Sequence, residues 1–284
     1  MKASVELKSI AENNPLGDFV ISSVSHLEVR TETPRPSVKI VRSGTERYKV
    51  NGHHYDVEGD RFLIVDKHCD LGLTIDDHNG VHGVCIFPSA ELINDVARTR
   101  LLHEEALLDN LMVKDQVRLT EQFCHYHQNQ TGVFLNDNVN TVINAVHQGG
   151  EETFDMDGFF VGLAECLVND QLKLEGKMKN LDSARRVTRE ELYRRVSLAR
   201  DFIVANYTEK INLDDLVANA CLSKYHFLRS FKSIYNKTPY KYLLDIRLEK
   251  ARELLQKDFS MAEVNHMVGF SDVKNLRRAL KKAS

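Results

Sequence analysis

No stretch of this 284-residue chain stays apolar for the roughly 18 to 20 residues that a helix needs to cross a bilayer. The opening segment MKASVELKSIAENNPLG has no apolar core of the signal-peptide kind. Neither a membrane span nor export is expected, so the expected location is the cytoplasm. Cysteine is scarce as well. Cys69, Cys85, Cys124, Cys166 and Cys221 are odd in number, scattered and never spaced C-x-x-C, which argues against a disulfide framework and a zinc ribbon. Net charge is only -3, and by itself that argues against a nucleic-acid partner. What remains is an ordinary soluble composition, 42% hydrophobic and 28% charged, in a chain long enough for two domains.

The small net charge conceals an asymmetry. From Thr188 to Ser284 there are 19 Lys and Arg against 12 Asp and Glu, a balance of +7, so the preceding part carries -10. An acidic domain over 1–187 and a basic domain over 188–284 are expected, with the boundary near GKMKNLDSARRV. This is the charge distribution of a protein in which one part meets phosphate backbone and the other does not.

Helix starts in the basic part are marked by side chains suited to accept hydrogen bonds from orphan backbone N–H groups. Thr188 with Glu191 reads as a capping box, opening a helix with the stripe Leu192, Val196, Ala199, Ile203 and Tyr207. Asn212 precedes the short segment LDDLVANA, and Ser223 precedes a helix with Phe227 and Phe231 four residues apart. Thr238 with Pro239 at the first position opens a long helix expected to run to Lys257, about 28 Å. Ser260 with Glu263 forms another box before AEVNHMV, and Ser271 or Asp272 caps VKNLRRALKK.

Short helix, turn and second helix therefore occur twice. Leu216, Ala220 and Leu222 match Val264, Val268 and Phe270 at an offset of 48, while Phe227, Arg229, Phe231 and Lys232 match Leu276, Arg278, Leu280 and Lys281 at 49. One extra turn residue accounts for the change, so the pattern reads as a duplicated helix-turn-helix, with units at about 213–234 and 261–283. The spacer helix approaches the ~34 Å between successive major-groove faces, so two reading heads could enter adjacent grooves. The plain alternative is a helical bundle whose basic residues form a solvated face; their position opposite the core pair in both second helices argues against it.

These residues resemble the AraC/XylS family of bacterial transcription regulators. The resemblance rests on ARDFIVANY, INLDDLVANACLSKYHFLRSFK, KTPYKYLLDIRLEKARELL and SMAEVNHMVGFSDVKNLRRALKK, spanning about 192–282. It implies DNA reading by the exposed faces of both second helices: Lys224, Tyr225, Leu228 and Arg229 in the first, and Val273, Lys274, Asn275, Arg277 and Arg278 in the second. Arg229 and Arg278 suit base contact, because a guanidinium fork can donate twice to guanine. Lys232 and Lys281, a turn further along, suit phosphate. Two features depart from the family. Leu276 and Leu280 stand where aromatics are usual, and the sequence stops at Ser284 without a G-x-x-P segment and closing helix, which implies a less covered second core and more reliance on the first head.

Over 18–87 the pattern is one of strands: SVKIVRS, ERYKV, HHYDV, RFLIVD, LGLTID and HGVCIF. Asn51-Gly52 between two of them is a strong hairpin signal. A small β-barrel or sandwich is expected, and the resemblance implies a cupin-like module for binding a small-molecule effector or for dimerisation. The fold class expected for the whole is α+β, a cupin-like barrel with helices followed by an all-α domain. In FFVGLAECLVNDQLKL the stripe Phe159, Leu163, Cys166, Leu167 and Asp170 fits either a core or a homodimer interface.

Cupins include metal enzymes, so His53-His54 and His125-x-His127 are weighed as ligands. No glutamate follows His127 closely and no glycine-bounded box surrounds either pair, so surface histidines, no cofactor and no enzyme activity are expected. The expected function is transcription regulation, most often activation in the family, with promoter DNA and RNA polymerase as partners. The rival is a metal-dependent enzyme with a DNA-binding tail. A third reading makes the N-terminal half purely a dimerisation or inhibitory module.

Overall fold

Positive φ at two successive residues, 49° at Asn51 and 91° at Gly52, closes the hairpin that Asn-Gly predicts. It joins β4 (Glu46–Val50) to β5 (His53–Val57) with Val50 opposite His53. In this computed structural model the described residues are 5–10, 14–105, 117–147, 154–181, 183 and 185–282. Packing divides the chain into Met1–Lys173 and Leu174–Ser284.

In the first unit β1 (Val5–Ile10), β2 (Gly17–Glu32), β3 (Ser37–Ser43), β6 (Arg61–Val65), β7 (Asp70–Pro88) and β8 (Gln122–His125) pair antiparallel in the order β1-β2-β7-β3-β6-β8. LGLTID and HGVCIF, expected as separate strands, are halves of β7. Its first half lies between β2 and β4, and its second between β2 and β3. The register breaks where Val24 and His26 of β2 face Val81 and Asp76, and Gly80 there has φ of 81°. One strand thus serves two neighbours on the same side, which curls the sheet into a near-closed barrel.

Alternation then gives each face its own core. Phe19, Val38, Ile40, Phe62, Ile64, Val84 and Ile86 pack against α1 (Ala90–Glu105), α2 (Gln130–His147) and α3 (Met156–Lys179). Tyr48, Val50, Tyr55, Val57, Leu63, Val65, Leu71, Ile75 and Val81 make the other core. Phe159, Leu163 and Leu167 are buried in the helix-covered core, so the stripe that fitted core or dimer interface belongs to the core. Asp170, also buried, accepts from Thr131 N and Thr131 Oγ1, both at 2.8 Å, and caps the start of α2.

The second unit contains α4 (Arg186–Ala205), α5 (Leu213–Ala220), α6 (Lys224–Tyr235), α7 (Pro239–Leu255), α8 (Met261–Met267) and α9 (Val273–Lys282). It begins earlier than the charge change at 187/188, because Leu174 and Met178 of α3 and Leu181 pack with Leu192, Val196, Phe227 and Phe231. The expected capping box at Thr188 is not formed. Helix α4 starts at Arg186, Thr188 lies inside it, and Glu191 instead accepts from Arg194 and Arg195. Hydrogen bonding from Arg194 is the main reason its carboxyl is lowered to about 2. Arg195 in turn donates to the Cys221 carbonyl in the turn after α5 (3.2 Å). The other caps form as expected at Asn212, Ser223, Thr238 with Pro239, and Ser260 with Glu263; Asn212 also closes a reciprocal box with Asp215, and Asp272 Oδ1 accepts from Asn275 N at 2.8 Å. Helix α7 ends at Leu255, two residues short of the expected Lys257, and is about 26 Å long.

Left-handed backbone occurs at Cys221 (φ 49°) and Gly269 (φ 74°), equivalent positions at the offset of 48. The N-caps Ser223 and Asp272 correspond at 49, so the additional residue of the second turn is Ser271. Only the second turn requires glycine: a Cβ at 269 would press on the Thr208 carbonyl, and the positive φ adds strain.

Phe231 is fully buried in the first helical core. Phe231→Ala should lower stability by roughly 3 to 5 kcal/mol, and denaturant unfolding measures it; a change below about 1 kcal/mol would remove that side chain from the core. Gly269→Ala should cost roughly 2 to 4 kcal/mol from combined strain and overpacking, against little change for Cys221→Ala. Comparable losses at both turns would refute the asymmetry.

Candidate nucleic-acid interface

Helix α6 turns Phe227, Ser230, Phe231 and Ile234 inward. Its 3.6-residue period then leaves Tyr225, Arg229 and Lys232 along one outer line, with Lys224 and Leu228 beside it. All five are exposed, Tyr225 at 76%. In α9 only Leu276 is buried, and Lys274, Arg278 and Lys281 occupy the same outer line at the offset of 49. Arg277 and half-buried Val273 correspond to Leu228 and Lys224. Thus two helices with equivalent caps present aromatic or aliphatic bulk near their N-termini and cations along the same line.

Not every expected reader is equally available. Lys224 Nζ is 2.5 Å from Asp214 Oδ1 on α5. Asn275 Nδ2 donates to Ser271 Oγ (3.1 Å) and Asp272 Oδ2 (2.7 Å), closing the cap of its own helix. Leu228 also lines a 280 Å³ apolar groove with Ile203, Ile211, Leu216, Tyr240 and Leu243, so its exposure has a second explanation. Tyr240, 75% exposed at the second position of α7, is not among the residues singled out from the sequence.

Arg247 lies within the matching linker segment but is structural. Its Nε donates to the Tyr207 carbonyl at 2.6 Å and its Nη2 to the Glu209 carbonyl at 2.7 Å. The loop after α4 is thereby fastened to α7, and a side chain at position 269 would press on the same loop at Thr208.

Of the four histidines weighed as ligands, His53 and His125 have carboxylate partners. His53 Nδ1 is 3.2 Å from Glu121 Oε1, and His125 Nδ1 is 2.8 Å from Asp60 Oδ2 while Arg61 Nε donates to His125 Nε2 at 3.1 Å. Among the described residues no group of three or more His, Cys, Asp or Glu could hold a metal ion, and no helix is long and apolar enough to cross a membrane.

Residues 216–284 match a family model described as a helix-turn-helix domain. The HTH-type transcriptional regulator YdeC of Bacillus subtilis is 39% identical over 72 residues, 25% of this chain and 25% of that protein. The MmsAB operon regulatory protein of Pseudomonas aeruginosa is 38% identical over 64 residues, 22% of this chain and 21% of that protein. The chain therefore aligns with about a quarter of the length of these curated relatives. Among solved structures, ToxT from Vibrio cholerae superposes over 99% of this chain and 94% of that one at 12% identity, with a TM-score of 0.34.

Lys232→Ala should weaken binding to all DNA sequences and flatten the salt dependence of log K by about one unit, as loss of one phosphate contact does. Arg229→Ala and Arg278→Ala should each relax preference at particular base pairs, with roughly 1 to 3 kcal/mol of discrimination lost. Fluorescence anisotropy over a salt series, on matched and single-substituted duplexes, separates the two behaviours; uniform weakening by the arginine variants would move them to the backbone.

Proposed function

Starting from the AraC-type helix-turn-helix domain in its C-terminal part, we propose that this DNA-binding transcription regulator reads two adjacent major grooves, one with α6 and one with α9, and activates transcription. The observation carrying this reading is the repeated outer line, Tyr225-Arg229-Lys232 and Lys274-Arg278-Lys281, on two helices with corresponding N-caps. Cations in register with buried residues on the opposite face meet what a recognition helix needs from its groove and its phosphates. Of the flanking positions, Leu228 and Arg277 extend the readout surface, Lys224 contributes once released from Asp214, and Val273 and Asn275 set the start of α9 against the groove edge.

The reading assigns DNA recognition to 188–284 and control to 1–187. Control works through a small-molecule effector or through dimerisation, in a cytoplasmic and non-enzymatic protein. Activation implies contact with RNA polymerase; it rests on the resemblance to activators. The stripe Phe159, Leu163 and Leu167 faces the core and is not assigned to a homodimer contact.

Binding selection from randomised duplexes tests the two-groove arrangement. Wild type should select two short conserved blocks centred about 10 base pairs apart, one helical turn. Arg229→Ala should blur one block and Arg278→Ala the other. A single block, or two variants blurring the same block, overturns it, and a promoter-linked reporter that falls on addition of the protein overturns activation.

A further inference from the structure

Strands β3 and β7 place Lys39 directly opposite Cys85. Lys39 is only 6% exposed, and its Nζ stands 2.8 Å from Cys85 Sγ. Sulfur is larger than oxygen, yet this separation is at or inside the usual N–H···O distance of about 2.9 to 3.0 Å. The amine is confined on its other sides: its Nζ lies 4.8 Å from the centre of the Phe87 ring and 6.0 Å from that of Tyr48. Beside it Glu46, 4% exposed, accepts from the Tyr48 hydroxyl at 2.6 Å. Gly83 leaves room for this group, since a side chain there would strike Glu46 and Ser22 Oγ. Cys85 itself is half-buried.

We propose that Lys39 and Cys85 are a covalent modification site, at which hydrogen peroxide installs a reversible crosslink with one oxygen bridging Nζ and Sγ. This reading is independent of how the C-terminal domain meets DNA. Two peroxide molecules supply the oxidation, each accepting two electrons. Sulfur attacks the first: an S–O bond forms, the O–O bond breaks, water leaves, and Cys85 becomes a sulfenic acid. The Lys39 amine, on giving up a proton, attacks the second in the same way, forming an N–O bond as the O–O bond breaks and leaving an N-hydroxylamine and water. Condensation of the two hydroxyl groups expels a third water and leaves N–O–S. Four equivalents of a thiol reductant return amine, thiol and one water, with two disulfides formed from the reductant.

Burial pushes the Cys85 thiol up from its ordinary value, and the Lys39 charge beside it opposes that rise. Glu46 is likewise raised by burial, with the Tyr48 hydrogen bond and Lys39 opposing. The bridged nitrogen no longer carries the ammonium charge, so bridging removes an opposing cation from Glu46 and drives its carboxyl toward the neutral form. Oxidation thereby changes the charge inside the first unit without requiring its paired strands to separate.

The test is mass spectrometry of the full-length protein after peroxide treatment and denaturation. The expected product is heavier by one oxygen less two hydrogens, with trypsin no longer cutting after Lys39. Peptide 31–42 should be linked to peptide 68–98, fragmentation should place the link at 39 and 85, and a thiol reductant should restore the starting mass. Lys39→Met and Cys85→Ala should both lack the linked pair; the wild-type peptide map decides even if either variant fails to fold. Cys85 carried only to sulfenic or sulfinic acid, or into a disulfide, with cleavage after Lys39 intact, overturns the proposal. So does an unmodified Cys85 under conditions that oxidise the exposed Cys221.

Discussion

Two backbone carbonyls, those of Tyr207 and Glu209, govern the arrangement of the C-terminal unit. At the end of α4 they lack helical partners, and Arg247 supplies them from the middle of α7 through short, charge-assisted hydrogen bonds. The neighbouring Thr208 carbonyl receives the second turn, which passes close enough that only glycine fits at 269. One loop thus touches the spacer helix and the second reading unit while belonging to the first. This point adds to the placement of α6 and α9 that α7 already sets by packing Leu243 into the first core and Leu248 and Ala251 into the second.

The turn of the first unit is held differently. Glu191, kept ionised by Arg194 and Arg195, orients Arg195 toward the Cys221 carbonyl, where the chain turns in left-handed conformation. Cys221 adopts this conformation on the exposed surface, whereas a side chain at 269 would meet the Thr208 carbonyl. The two units reach one geometry by separate means: an arginine on a carbonyl in one, a missing side chain in the other. Their cores differ correspondingly. Phe227 and Phe231 join Tyr235 and Tyr242 in a ring cluster, and Leu276 fills the smaller second core with Val264, Val268, Leu248 and Ala251.

In the first unit the long β7 plays the comparable part. By pairing with β4 in one half and β3 in the other, it curls the sheet into a near-closed barrel and brings Lys39, Glu46, Tyr48 and Cys85 together. Buried polar groups of this kind persist only with partners, and here each has one from another member of the cluster or a neighbouring ring.

Local chemistry determined a great deal without the fold. Asn212, Ser223, Thr238-Pro239, Ser260 and Asp272 mark helix starts because a cap acts within three residues, and Asn51-Gly52 marks a turn because both positions need positive φ. The 3.6-residue period likewise separated Phe227 and Phe231 from Tyr225, Arg229 and Lys232, and the repeat offset placed the second set on α9. Competing local partners and distant residues were not legible. Thr188 and Glu191 have capping-box spacing, but Arg194 and Arg195, one turn on, take the carboxylate and the helix begins earlier. The charge change marked 187/188, while Leu174 and Met178 join the later core through apolar contacts that charge cannot report. The continuity of β7, the role of Arg247 and the meeting of Lys39 with Cys85 were decided by tertiary structure, since each joins groups whose proximity arises only once strands pair or helices pack.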